Sequence, residues 1–221
     1  VDLLSISSHK VYGPKGMGCL YVRRKPRIRL ISQIDGGGQE RLIRSGTLPT
    51  PLIVGFSEAL KISNDNLDIN IKKLKIMRDK LHKNLTTDVS GIILNGPSID
   101  GDRLPNNLNY TVKGISGANL TEVLGDQVAF SAGSACATGG IEPSYVLNSI
   151  GLDDESALSS FRMSVGRNTT INDINTASKI ISDKIKVLKN LWELKLPKII
   201  FKYKDKEVII DEKINDLTIL E

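Results

Sequence analysis

The sequence predicts an α/β fold, on three observations. Short apolar runs alternate with amphipathic stretches of helix length, glycine clusters punctuate the joins, and one long periodic helix follows the last apolar run. With 221 residues, 40% hydrophobic, the chain can bury one good core or two small ones, and a division near residue 62 is expected.

The elements follow in order. Val1 to Ser7 is an apolar run that suits a buried strand; Gly13, Gly16 and Gly18 mark a turn before a second apolar run, Cys19 to Val22. Gly36-Gly37-Gly38 and Arg44-Ser45-Gly46-Thr47 mark a long irregular loop of the kind that often carries function, closed by Pro49 and Pro51 ahead of a helix over Leu52 to Ile62. From about Asn64 to Leu85, the spacing of Leu67, Ile71, Leu74, Leu81 and Leu85 predicts an amphipathic helix. Ile92 to Leu94, Leu108 to Val112, Val128 to Phe130 and Phe161 to Val165 read as strands, interleaved with helices over Ala118 to Leu124 and Ser144 to Ile150. Thr170 and Asp173 fit a capping box opening a final helix, with Ile174, Ala177, Ile181, Ile185, Leu188 and Trp192 as its buried stripe and Pro197 near its stop. Beyond it, the alternation of Phe201, Tyr203, Val208 and Ile210 suggests a β-hairpin.

Composition excludes several classes. No apolar run has the length needed to span a bilayer, and the start lacks the layout of a secretory signal, so a cytoplasmic setting is expected, or a mitochondrial matrix in a eukaryote. Two cysteines and two histidines, without a CxxC pair, make an internal zinc or cluster site a poor fit. The net charge of +5 is concentrated in Arg23, Arg24, Lys25, Arg27 and Arg29, which lack interleaved aromatics; an acidic protein partner suits that run better than nucleic acid. The sequence begins at Val1 and already reads as the middle of a domain, so a start within a longer protein is expected.

Three sites could carry chemistry. Lys10 lies where a strand gives way to a glycine-rich loop, beside Ser7, Ser8 and His9, and a lysine at a pocket mouth can form a Schiff base with an aldehyde cofactor. A lysine after a strand is, however, more often a solvated surface charge. Cys136 sits among Ser131-Ala132-Gly133-Ser134-Ala135 and Ala137-Thr138-Gly139-Gly140, small residues that let a loop carry a thiolate to a substrate; the alternative is a buried structural cysteine, the role expected of Cys19. Arg162 interrupts an apolar strand, where a substrate carboxylate or a structural salt bridge would serve equally as its anion.

Taken together, Ser7-Ser8-His9-Lys10-Val11-Tyr12-Gly13-Pro14-Lys15-Gly16, Gly36-Gly37-Gly38-Gln39-Glu40-Arg41 with Arg44-Ser45-Gly46-Thr47, and Gly133-Ser134-Ala135-Cys136 followed by Glu142-Pro143-Ser144-Tyr145-Val146-Leu147 resemble the iron-sulfur-cluster and nitrogenase type of cysteine desulfurase, in the class V aminotransferase-like group. The resemblance is collinear from Val1 to about Glu193. It implies the pyridoxal-phosphate-dependent transferase fold of type I: residues 1–62 as the end of a large domain with a mostly parallel sheet, 63–196 as a small α/β domain, and 197–221 as a tail. It also implies roles. Lys10 matches the lysine that holds pyridoxal 5'-phosphate, Ser7 and His9 match residues that bind its phosphate, and Thr47 matches a threonine reaching the phosphate in the other subunit of a homodimer. Cys136 matches the cysteine that takes sulfur from L-cysteine as a persulfide, leaving L-alanine, and Arg162 the arginine that clamps the substrate carboxylate. Arg23, Arg24, Arg27 and Arg29 match a docking surface for an iron-sulfur scaffold or another sulfur acceptor.

The family continues upstream of the position matching Val1, where it carries the stacking aromatic, the aspartate at the pyridine nitrogen and a phosphate-binding turn. A chain limited to these residues is therefore expected to be inactive alone. Ala137-Thr138-Gly139-Gly140 and the hairpin-like tail also depart from the family pattern, which leaves the acceptor open. A selenocysteine lyase is the nearest rival within the same chemistry; a non-catalytic interaction subunit is the rival from another class.

Overall fold

The computed structural model describes residues 1–125, 127–131 and 142–193, together with the backbone of 199–203 and 206–210. The chain divides into two compact units, Val1–Asn70 and Ile71–Glu221, a break somewhat later than position 62.

In the first unit, strands β1 (Leu3–Ser7) and β2 (Gly18–Val22) pair antiparallel, from Leu3 opposite Val22 to Ser7 opposite Gly18. The short connection, residues 8–17, dictates this sense, because a parallel pair needs a crossover long enough to traverse the sheet. The mostly parallel sheet expected of the large domain is thus not among the described strands, whose ladders are all antiparallel. Both sides of the ribbon carry exposed apolar side chains, including Leu3, Leu4, Leu20 and Tyr21. Cys19, assigned to the core on sequence, is exposed, since within this unit a two-stranded ribbon has no further layer to cover it.

Helix α1 (Thr50–Asp65) starts with Pro51 in its first turn, where a missing N–H costs nothing, and buries Phe56. It buttresses the segment after β1. Ser63 Oγ donates to the Val11 carbonyl at 3.4 Å, and Gly55 lets the helix approach Pro14, whose ring lies 3.2 Å from where a Cβ would sit. The chain then turns at Asn66, whose N–H and side-chain amide both donate to the Ile62 carbonyl. Helix α2 (Leu67–Asp88) therefore begins after the predicted Asn64, and its expected stripe residues Leu67 and Ile71 are exposed; burial starts at Met77 and continues through Leu81 and Leu85.

The second unit is built on a three-stranded antiparallel sheet, β3 (Ile92–Leu94), β4 (Asn107–Val112) and β5 (Ser160–Ser164), in that spatial order. Strand alternation sorts its faces. Leu108, Tyr110 and Val112 of β4, with Phe161 and Met163 of β5, point into a core closed by α2, α3 (Gly117–Leu124) and α6 (Ile171–Glu193). Asn107, Asn109 and Thr111, with Ser160, Arg162 and Ser164, take the opposite face. Val128 to Phe130, predicted as a strand, joins no ladder among the described residues; the next residue, Ser131, makes an isolated bridge with Arg162, and Phe130 packs its ring edge-on against Phe161 with centroids 5.8 Å apart. Between them α4 (Tyr145–Ser149) and α5 (Asp154–Leu158) are single short turns, the second opened by Asp153 accepting from the Ser156 N–H at 2.7 Å.

The capping box of α6 forms reciprocally: the Thr170 N–H donates to Asp173 at 2.9 Å and the Asp173 N–H to Thr170 Oγ1 at 3.2 Å. Ile174, Ile181 and Ile185 are buried as the stripe predicts, but Trp192 is 63% exposed, its ring occupying the space over Gly114 where a side chain would stand. The last turns of α6 have run past the core. Strands β6 (Ile199–Tyr203) and β7 (Lys206–Ile210) pair antiparallel as a separate ribbon. Among the described residues no helix is long and apolar enough to cross a membrane, and no three of His, Cys, Asp and Glu are grouped to hold a metal ion.

Candidate active site

Lys10 lies on a tight turn at the end of β1. Residues Ser8–Val11 form a 3-10 turn closed by Tyr12 in the left-handed region at φ 64°, with the Ser8 N–H bonded to Met17 O at 2.9 Å and the Gly13 N–H to Ser8 O at 3.0 Å. Ser8 is fully buried at the centre of this turn, while Ser7, His9 and Lys10 are exposed around it. Sequence thus places a hydroxyl, an imidazole and an amine within four residues on a surface fixed by α1. That donor set fits a phosphorylated aldehyde: hydroxyl and imidazole suit phosphate oxygens, and the amine suits the carbonyl carbon.

Thr47 is exposed in the same unit, next to Gly46 at φ 109°. Side chains hold its loop: Ser45 Oγ donates to Asp35 O at 2.8 Å, and Gln39 Oε1 accepts from the Gly46 N–H at 3.2 Å. Glu40, Arg41 and Leu42 are all left-handed, a strained run for non-glycine residues. Of the basic cluster, Arg24, Arg27 and Arg29 are exposed, whereas Arg23 is half-buried and ion-paired with Asp2, so the four arginines are not equivalent.

Arg162 belongs to the second unit. It stands on the polar face of the sheet opposite Asn109, exposed, and no carboxylate among the described residues ion-pairs with it. The strand alternation turns Arg162 away from the core. It lines a cavity of about 410 Å³ with Asn95, Arg103 and Asn109 on the polar side and Val146 and Ile150 of the α4 region on the apolar side. Cys136 lies outside the described residues.

Sequence reasoning missed the support of this cavity. Asn95 is buried where β3 ends, its amide donating to Asn109 Oδ1 at 2.6 Å and Thr111 Oγ1 at 2.9 Å, and the Thr111 and Ser160 hydroxyls are 2.8 Å apart. Arg78 of α2 is buried as well, and the spacing Leu74, Arg78, Leu81, Leu85 was the available signal: a charge in the apolar stripe needs partners. One turn on, His82 Nδ1 lies 2.7 Å from Tyr110 Oη. Burial pushes the imidazole below its ordinary value and the phenol above its own, so a neutral ring accepting from a protonated phenol is the favoured arrangement.

Residues 1–176 match the family described as Aminotransferase class-V. The chain belongs to the class-V aminotransferase family. Among class-V relatives, the cysteine desulfurase IscS of Rickettsia bellii is 45% identical over 197 residues, 88% of this chain and 47% of the relative. The protein of that name from Tolumonas auensis is 47% identical over 197 residues, 88% of this chain and 48% of the relative. The class-V fold is shared with the solved structure of a NifS-like protein at a TM-score of 0.70 and 32% identity, over 85% of this chain and 47% of the other. The NifS-like protein from Rickettsia africae superposes at a TM-score of 0.71 with 26% identity, over 84% and 48%. The chain spans about half the length of the relatives it matches.

Proposed function

We propose that this chain contributes the sulfur-accepting part of a cysteine desulfurase, which converts L-cysteine to L-alanine and passes the sulfur on for iron-sulfur cluster assembly. One observation carries the reading: in a chain 45% identical to proteins named cysteine desulfurase, Lys10 is an exposed amine on a turn that also exposes Ser7 and His9. Class-V enzymes generally depend on pyridoxal phosphate, and here Lys10 would hold its aldehyde, Ser7 and His9 its phosphate, and Thr47 the phosphate in a second copy of the chain. When bound, that cofactor supplies an electron-withdrawing ring that stabilises negative charge on the substrate carbon.

The remaining roles fall to side chains of this chain. Arg162 binds the substrate carboxylate with a two-pronged guanidinium and so orients the amino acid. Lys10 Nζ would take and return a proton at the substrate carbon. Cys136 Sγ attacks the substrate sulfur as a thiolate; the carbon–sulfur bond breaks, the sulfur stays on Cys136 as a persulfide, and the carbon skeleton leaves as alanine after protonation. Arg24, Arg27 and Arg29 offer an acceptor protein with an acidic face a place to dock.

The full-length protein tests this reading. Lys10→Ala should abolish alanine release from L-cysteine and remove the absorbance of the protein-bound cofactor. Arg162→Gln should keep that absorbance while lowering kcat/KM by about a hundredfold, the cost of leaving a carboxylate without its charged partner. Retained turnover in Lys10→Ala would overturn the assignment of the amine.

A further inference from the structure

The segment between β3 and β4, residues 95–106, has no regular secondary structure, yet Asn95, Gly96, Pro97, Asp102, Arg103 and Leu104 form one wall of the Arg162 cavity. An irregular wall keeps its shape only if its main-chain groups are tied. Two arginines tie this one. Arg78, 3% exposed, reaches it from α2: Nη1 donates to the Leu104 carbonyl at 3.1 Å and Nη2 to the Ile99 carbonyl at 2.9 Å. The same guanidinium is steadied by Asp79, with Nε and Nη2 at 2.9 and 2.7 Å from Oδ1. Arg103, within the segment, donates back to the carbonyls of Asn95 and Pro97.

A buried guanidinium is a poor choice for stability alone. At position 78 the neighbouring stripe residues are Leu74, Met77 and Leu81, and an apolar side chain would extend their packing without the desolvation penalty of a charge. What an apolar side chain cannot do is hold two carbonyls, five residues apart, in fixed positions. We propose that Arg78 is a positioning residue, which through Ile99 and Leu104 fixes the cavity wall facing Arg162 and so sets how tightly the site grips a small amino acid. The inference deepens the desulfurase reading and rests on it for the identity of the substrate.

The test compares full-length wild type with Arg78→Lys and Arg78→Met, a lysine that can reach one carbonyl and a methionine that fills space without donating. In both variants KM for L-cysteine should rise about tenfold while kcat at saturation stays within about twofold, because grip is lost and the reacting groups are untouched. Hydrogen exchange of the amides at 98–106 should quicken, while those of α6 stay as in wild type. Should Arg78→Met not fold, Arg78→Lys alone supplies the same two readouts. An unchanged KM with unchanged exchange at 98–106, or a fall in kcat with KM fixed, overturns the proposal. If the wild-type protein releases no alanine from L-cysteine, the desulfurase reading fails by itself, and the exchange data decide whether Arg78 holds the wall.

Discussion

At the Lys10 turn the closest packing involves Ser8 and Gly13. A Cβ on Gly13 would lie 2.2 Å from Ser8 Oγ, 3.1 Å from Ser8 O and 3.2 Å from the Ala59 side chain. Ser8 Oγ is buried and has no hydrogen-bond partner among the described residues. Gly13→Ala should therefore destabilise the protein by roughly 1–3 kcal/mol, the usual cost of overpacking. Ser8→Ala alone should change stability by less than about 1 kcal/mol, since it removes a hydroxyl that gains nothing from burial. Denaturant titration of both single variants and the double variant checks the pair: a double variant less destabilised than the sum shows that the hydroxyl is the obstacle, and strict additivity would refute it. The exposed turn at Lys10 was legible in the sequence as the join between a strand and a glycine-rich loop, whereas the roles proposed for Lys10, His9 and Ser7 come from the family resemblance. The exposure of Cys19 was not legible, because an apolar run says that a strand exists but not which layers cover it.

Elements were legible where the signal is local. The pairing of Thr170 with Asp173 was readable three residues apart, and the structure makes both of its hydrogen bonds. Thr170→Ala should cost about 1 kcal/mol, read as a lower unfolding midpoint. A pH dependence follows from the other half of the box. The Thr170 N–H, and then its hydroxyl, hold the Asp173 carboxyl below its ordinary 3.8, so its contribution is present above that value and is lost as pH falls through the lower folded-state pKa. Wild type should accordingly lose more stability than Asp173→Asn across the acid side of 3.8; equal losses would mean that the Asp173 carboxylate contributes nothing there. Signals that depend on tertiary context misled. Leu67 and Ile71 keep the helical period but precede the part of α2 that meets the sheet, Trp192 keeps it beyond the core, and Val128 to Phe130 has strand composition while its ring packs on Phe161 instead of extending a ladder.

For the molecule as a whole, the alternation of short strands and helices predicted α/β, and the class-V match over residues 1–176 agrees. The sense of the sheets was harder to read, since it depends on connections: β3, β4 and β5 are antiparallel neighbours although a long excursion containing α3, α4 and α5 separates the last two in sequence. The polar face that results, with Asn109 and Arg162 side by side, is why an arginine in an apolar strand could be noticed on sequence but not assigned a side. The support by Arg78 went unread because the residues it joins, 78, 99 and 104, share no local pattern. The most direct measurement of the sulfur-transfer account uses the full-length protein given L-cysteine without reductant, with the sulfur-bearing residue located by peptide mass spectrometry. The account predicts a persulfide on Cys136 that is absent from Lys10→Ala, and loss of sulfur acceptance in Cys136→Ser with cofactor absorbance intact. Alanine release accompanied by a persulfide on Cys19, or by none on either cysteine, would contradict it.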